Sequence, residues 1–312
     1  MRIPKPREQE RLLFNLQNIS DVDIEVNFRF HRDDLPRLLR VLQITPIVRT
    51  KEGDLATGEE ALCILLRRLA YPNHLKDLKA VFSRSSEAIS HIVNFMTEFI
   101  YQHHGQLLDN LENLLWLDEE KMQLYGQGIA AKGAAVQNCF GFIDGTARPI
   151  CRPSQNQEEY YSGHKRQHCV KYQSVLSPDG IILNIQGSYP GRRHDAVFQN
   201  GSRFVLFGDQ AYGIRELLLC PYPGRGVNEA QRTFNASMSV VRQAVEWGFQ
   251  KVLAQFAFTD FKKNQKLLLQ DLESMYKTAI ILTNCHTCLY SSQTAQYFLI
   301  EPPQLEQYFN IN

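Results

Sequence analysis

Apolar residues recur at spacings of three and four over residues 35–130, with few β-branched runs, and predict a helical region. Thr57-Gly-Glu-Glu60 reads as a capping box opening an apolar helix over 61–70, which Pro72 stops. A short helix over 75–82 follows; then, after Ser83-Arg84-Ser85, comes a longer one with Ile89, Ile92, Met96 and Phe99 on one face. So tight a turn between two helices suits a helix-turn-helix, and equally an ordinary packed pair. Arg84, Ser86, Glu87 and Ser90 form a plain polar face on the second helix.

Near Gly133 the pattern changes to short apolar runs ending in turn residues. The run 137–145 predicts a central strand ending at Asp144-Gly145, and 204–209 a second buried strand ending at Asp209. Residues 168–176 and 181–185, joined by Ser177-Pro-Asp-Gly180, predict a hairpin, and 217–220 a further short strand. Beyond Asn228 a stripe of Met238, Val241, Val245, Gly248, Phe249 and Val252 predicts a helix, and helices fill much of 265–289. The expected organisation is a helical region over 1–132 and an α/β domain over 133–312.

Composition narrows the classes. With 44% hydrophobic residues in 312, the chain can bury a full core. It lacks the roughly 18 to 20 apolar residues in a row that a membrane span needs, and its first residues are too charged for a signal peptide. Seven scattered cysteines suit reduced thiols, so a nuclear or cytoplasmic location is expected. A net charge of +1 means that any binding of nucleic acid rests on local charge.

If the two strands that end on Asp144 and Asp209 are parallel neighbours, their carboxylates converge beyond the strand ends. Hard cations such as Mg²⁺ take oxygen ligands of this kind, and a two-metal site asks for a third carboxylate. Glu246 lies beside the apolar stripe of its helix, 246 − 209 = 37 positions after Asp209, and is the candidate. Singly, each acid reads as a turn former or a surface charge; their combination carries the expectation.

Five ordered blocks then resemble the PIF/Harbinger-type transposase-derived DDE nucleases: Phe142-Ile-Asp144-Gly-Thr, Tyr161-Ser-Gly-His-Lys-Arg166, Pro190-Gly-Arg-Arg-His-Asp195, Gly208-Asp209-Gln-Ala-Tyr212 and Val241-Arg-Gln-Ala-Val-Glu246-Trp-Gly-Phe. The resemblance spans residues 142–289, and the upstream Leu65-Leu-Arg-Arg-Leu-Ala-Tyr-Pro72 resembles the helical region before that nuclease. It implies an RNase H-like mixed sheet preceded by an all-α region, with Asp144, Asp209 and Glu246 as catalytic metal ligands and His194-Asp195 as an auxiliary pair. It further implies Mg²⁺- or Mn²⁺-dependent cutting of DNA at transposon ends, transfer to target DNA, and a separate Myb-like DNA-binding partner. A homo-oligomer is compatible with the same reading.

Between Asp144 and Arg215 nine Lys or Arg face six acids, two of which a metal would neutralise, leaving a cationic groove for a DNA backbone. Lys165, Arg166, Arg192 and Arg193 are the candidate DNA contacts. The rival reading is a domesticated, catalytically impaired DNA-binding protein that keeps the fold but no longer cuts; a third is a small-molecule metallohydrolase with an enclosed pocket. Cys285-His-Thr-Cys288 has no second cysteine pair and reads as helix core, not a zinc site. One departure from the family stands out: only 209 − 195 − 1 = 13 residues separate Asp195 from Asp209, too few for a helix over the sheet before the next strand. Under-packing near these strands is therefore expected, on the supposition that the third strand runs antiparallel to the first.

Overall fold

The computed structural model describes residues 14–190, 204–212, 217–224, 226–262, 265–266 and 271–311. The chain divides into two compact units, Met1–Phe99 and Ile100–Asn312, a boundary upstream of Gly133.

The first unit holds α1 (Asp21–Phe28), α2 (Leu35–Val41), β1 (Ile47–Arg49), β2 (Leu55–Thr57), α3 (Gly58–Ala70), α4 (Leu75–Phe82) and most of α5 (Ser86–His104). Ser20 caps α1, its hydroxyl accepting from the Asp23 N–H at 3.1 Å. The expectation of an all-α region needs one correction: β1 and β2 pair antiparallel, Val48 opposite Ala56. Strands of three residues are too short to show alternation, and the turn depends on Gly53, whose φ of +90° favours glycine.

Only half of the expected capping box forms. Thr57 accepts from the Glu60 N–H at 3.1 Å, but the Glu60 carboxylate turns to Arg84, with Nε–Oε1 and Nη2–Oε2 contacts of 2.5 and 2.6 Å. Glu60 and Arg84 are 7% and 8% exposed, so Arg84 belongs to a buried bidentate pair and not to the polar face of α5. The apolar face of α5 is as expected at Ile89, Ile92 and Met96, which are fully buried.

The second unit is built on a mixed sheet. Its strands are β3 (Cys139–Pro149), β4 (Tyr161–Ser162), β5 (Gln167–Leu176), β6 (Ile182–Pro190), β7 (Val205–Phe207) and β8 (Leu218–Leu219). The order is β4-β5-β3-β7-β8, with β6 beside β5. Both β3–β5 and β5–β6 are antiparallel, so β6 runs parallel to β3: two reversals restore the direction, contrary to the antiparallel third strand expected. β7 and β8 join in parallel on the far side of β3.

Helices α6 (Gln106–Asp109), α7 (Glu119–Ala131), α8 (Gln157–Tyr160), α9 (Glu229–Gln255), α10 (Leu272–Tyr290), α11 (Gln293–Phe298) and α12 (Leu305–Tyr308) complete the unit. α9 approaches the sheet closely because residue 248 is glycine: a Cβ there would stand 2.7 Å from the Leu176 side chain on β5. α10 ties down β6, since Asn284 accepts from the Ile182 N–H at 3.0 Å and donates to its carbonyl at 2.9 Å. Cys285 and Cys288 both lie on α10, as expected.

Side chains alternate along β3. Phe142 stacks against Phe298 of α11, while the neighbouring Ile143 lines an apolar cavity of about 170 Å³ with Phe140, Leu206, Leu218, Leu117 and Met122. The under-packing expected near these strands is present there. The short segment held responsible for it, 191–203, lies outside the described residues.

Candidate active site

Asp144 does not end its strand as the sequence reading expected. β3 continues to Pro149 because Gly145 and Thr146 stay paired with Gln173 and Tyr172 of β5. The partner on the other side does stop: β7 pairs only with the first part of β3, as far as Phe142 opposite Phe207. Asp144 therefore sits mid-strand, but at the level where its parallel neighbour has ended. Asp209 follows two residues after Phe207, leaving β7 through Gly208, and lies near enough for its charge to reach Asp144.

Short backbone contacts fix both carboxylates. Asp144 Oδ1 accepts from the Gly145 N–H at 2.9 Å, and Asp209 Oδ1 accepts from the Gln210 N–H at 2.6 Å. A Cβ on Gly208 would come within 2.8 Å of the Ile143 side chain, so glycine lets the chain turn past β3. Asp209 is exposed, whereas the Asp144 side chain is 20% exposed. Burial pushes the Asp144 carboxyl up; the Arg242 guanidinium and the Gly145 N–H oppose that, and the Asp209 charge adds to it. Burial likewise raises the Cys220 thiol, with Asp209 contributing, so Cys220 belongs to the same surroundings.

The third expected ligand is placed differently. Glu246 is exposed on α9, and among the described residues no three His, Cys, Asp or Glu gather closely enough to hold a metal ion. What meets Asp144 is Arg242, one helical turn before Glu246, with Nη2 3.1 Å from Oδ1. In the sequence Arg242 stands within the fifth block, beside Val241. The signal available was its spacing, since residues four apart share a helix face. A hard cation that completes its shell with water is served by two carboxylates, so the Asp144–Asp209 pair fits one such ion. The full set of three is not assembled.

Lys165 and Arg166 are exposed in the turn between β4 and β5. From Gln167 to Ser174, the partner of Asp144, the strand covers 174 − 167 = 7 steps, about 23 Å. These cations are thus set along the sheet from the acid pair, not around it. His194, Asp195, Arg192 and Arg193 lie outside the described residues.

The structure thus brings two carboxylates near one another beside a parallel strand pair, in a mixed sheet flanked by helices. Among known proteins, residues 143–284 match the family described as DDE superfamily endonuclease. The chain is also similar to "Protein ALP1-like" of Arabidopsis thaliana, at 21% identity over 226 residues, covering 64% of this chain and 53% of the relative. It spans about half the length of that curated relative. No solved structure matches. No helix among the described residues is long and apolar enough to cross a membrane.

Proposed function

We propose that the second unit is an RNase H-like nuclease domain of Harbinger type that cuts DNA phosphodiester bonds in the nucleus with Mg²⁺ or Mn²⁺. The observation that supports this reading is that Asp144 and Asp209 lie near one another beside the parallel β3–β7 pair, in the segment that matches the DDE superfamily endonuclease family. The strand sequence β6-β5-β3-β7-β8, two antiparallel steps and then two parallel ones, supports the RNase H-like assignment.

In this reading the bound cation supplies Lewis-acid polarisation of the scissile phosphate and a water acidic enough to attack it. Asp144 and Asp209 hold that cation, each oriented by its own backbone N–H contact. Glu246 completes the site when α9 and the acid pair draw together on substrate. Lys165 and Arg166 take phosphates several base pairs away, which suits an extended DNA substrate better than a small molecule. In the first unit α4 presents exposed Lys76 and Lys79, whereas α5 carries no Lys or Arg, so phosphate contacts there come from α4. A Myb-like partner and self-association remain part of the same proposal.

The test is cleavage of a duplex carrying candidate terminal repeats, with and without Mn²⁺. Asp144→Asn and Asp209→Asn should each lower cutting by at least about a hundredfold, and Glu246→Gln comparably, while circular dichroism stays native. Undiminished cutting by any one of them would remove that residue from the site. The second reading, a DNA-binding protein with impaired cutting, is favoured by the Asp144–Arg242 pair and the outlying Glu246. It predicts salt-dependent DNA binding without Mn²⁺-dependent products.

A further inference from the structure

Arg242 places a permanent positive charge against one of the two carboxylates that the proposed reaction needs. Its Nη2 lies 3.1 Å from Asp144 Oδ1, an oxygen that already accepts the Gly145 N–H. The guanidinium is three-quarters buried, and its Nε–H has no hydrogen-bond partner, so the side chain is not locked by a second carboxylate as Arg84 is by Glu60. Its field also reaches Cys220, a residue that feels Asp209, which puts the charge near both members of the acid pair.

A hard divalent cation binds a carboxylate oxygen at about 2.0 to 2.1 Å and keeps a full oxygen shell. Asp144 Oδ1 cannot offer that contact while it also holds a guanidinium, and two cations beside one carboxylate repel each other. We propose that Arg242 is a tethered cation that competes with the divalent metal for Asp144, holding the acid pair together without metal and weakening metal binding until it swings away. The inference rests on the acid pair being the metal site, and it deepens that reading by naming the residue that sets metal affinity. Arg242 is a positioning residue here, acting through Asp144.

The experiment is Mn²⁺ binding by the full chain without DNA, followed by calorimetry and by the electron spin resonance of free Mn²⁺. Arg242→Gln should bind Mn²⁺ at least about tenfold more tightly than the unaltered chain, and Arg242→Lys, which keeps the charge, should stay near the unaltered affinity. Adding Asp144→Asn to Arg242→Gln should abolish the gain. Because Arg242→Gln could perturb folding, the unaltered chain is also titrated with Mg²⁺ while the arginine Nε–H resonances are followed. The resonance that Arg242→Lys removes should move on Mg²⁺ binding. If Arg242→Gln is native but binds Mn²⁺ no more tightly, or that resonance stays fixed at saturating Mg²⁺, the inference is overturned. If Asp144→Asn and Asp209→Asn still weaken Mn²⁺ binding in that case, the metal-site reading survives alone. If neither substitution affects binding, both fall together.

Discussion

The turn between β5 and β6 buries a carboxyl whose protonation state can be tested directly. Asp179 is completely buried and accepts from the Tyr125 hydroxyl; its Oδ1 lies 2.5 Å from Ser177 Oγ and 3.2 Å from the Ile181 N. Ser177 Oγ is also 3.0 Å from the Ile181 carbonyl, yet it has one proton to give. A protonated Asp179 resolves this: the acid donates to Ser177, and Ser177 donates to the Ile181 carbonyl. Burial raises the carboxyl, opposed by the hydroxyls and by Lys121, whose Nζ is 3.9 Å away and also donates to the Glu301 carbonyl at 2.8 Å. With the folded value above the unfolded one, near 3.9, the contribution to stability is fully present below about pH 4. It is lost as pH rises toward the folded value. Between the unfolded and the folded value, stability falls by at most about 1.4 kcal/mol per pH unit. For a unit of this size each kcal/mol corresponds to about 2 to 4 °C in Tm. Asp179→Asn keeps the shape and the donor to Ser177 but cannot titrate. Thermal melts of both proteins between about pH 4 and 7 should show the advantage of the unaltered chain shrinking as pH rises. An advantage that grows with pH would mean a charged carboxylate and refute the proton assignment.

Two further predictions concern packing. Glu60→Ala leaves the Arg84 guanidinium buried without its partner and should cost about 3 to 5 kcal/mol in urea denaturation, whereas Glu60→Leu with Arg84→Met should recover most of it; a loss under about 1 kcal/mol for the single change would contradict the buried pair. Leu206→Phe reaches into the cavity beside Ile143 and should raise stability by about 0.5 to 1 kcal/mol, at about 24 cal/mol per Å³ filled; a lower Tm would show that the wall cannot accommodate the ring.

Much of the second unit was legible because its signals are local. Ser177-Pro-Asp-Gly180 joins β5 and β6 where turn chemistry placed it, with Gly180 at a φ of +83°, and the stripe from Met238 to Val252 lies on α9 with most of its members buried. Pairing was less legible. Gly145-Thr146 has the composition of a turn, yet both residues stay in β3 because β5 supplies hydrogen-bond partners that sequence spacing does not reveal. Direction failed for the same reason, since whether β6 runs with or against β3 depends on β5 lying between them. In the first unit β1 and β2 went unread, being too short to alternate visibly.

The site divides along the same line. Asp144 and Asp209 could be singled out because each follows an apolar run, and the parallel pairing of β3 with β7 then brings them near one another. The partner of Asp144 could not, because α9 offers Arg242 and Glu246 on one face, and spacing alone does not say which of the two turns reaches β3. In this arrangement Arg242 takes the carboxylate and Glu246 faces outward. Bringing Glu246 to where Arg242 meets Asp144 would take a shift of four residues, about 6 Å along the helix axis. The same helix thus carries both the residue proposed to restrain metal binding, Arg242, and the one proposed to complete the site, Glu246.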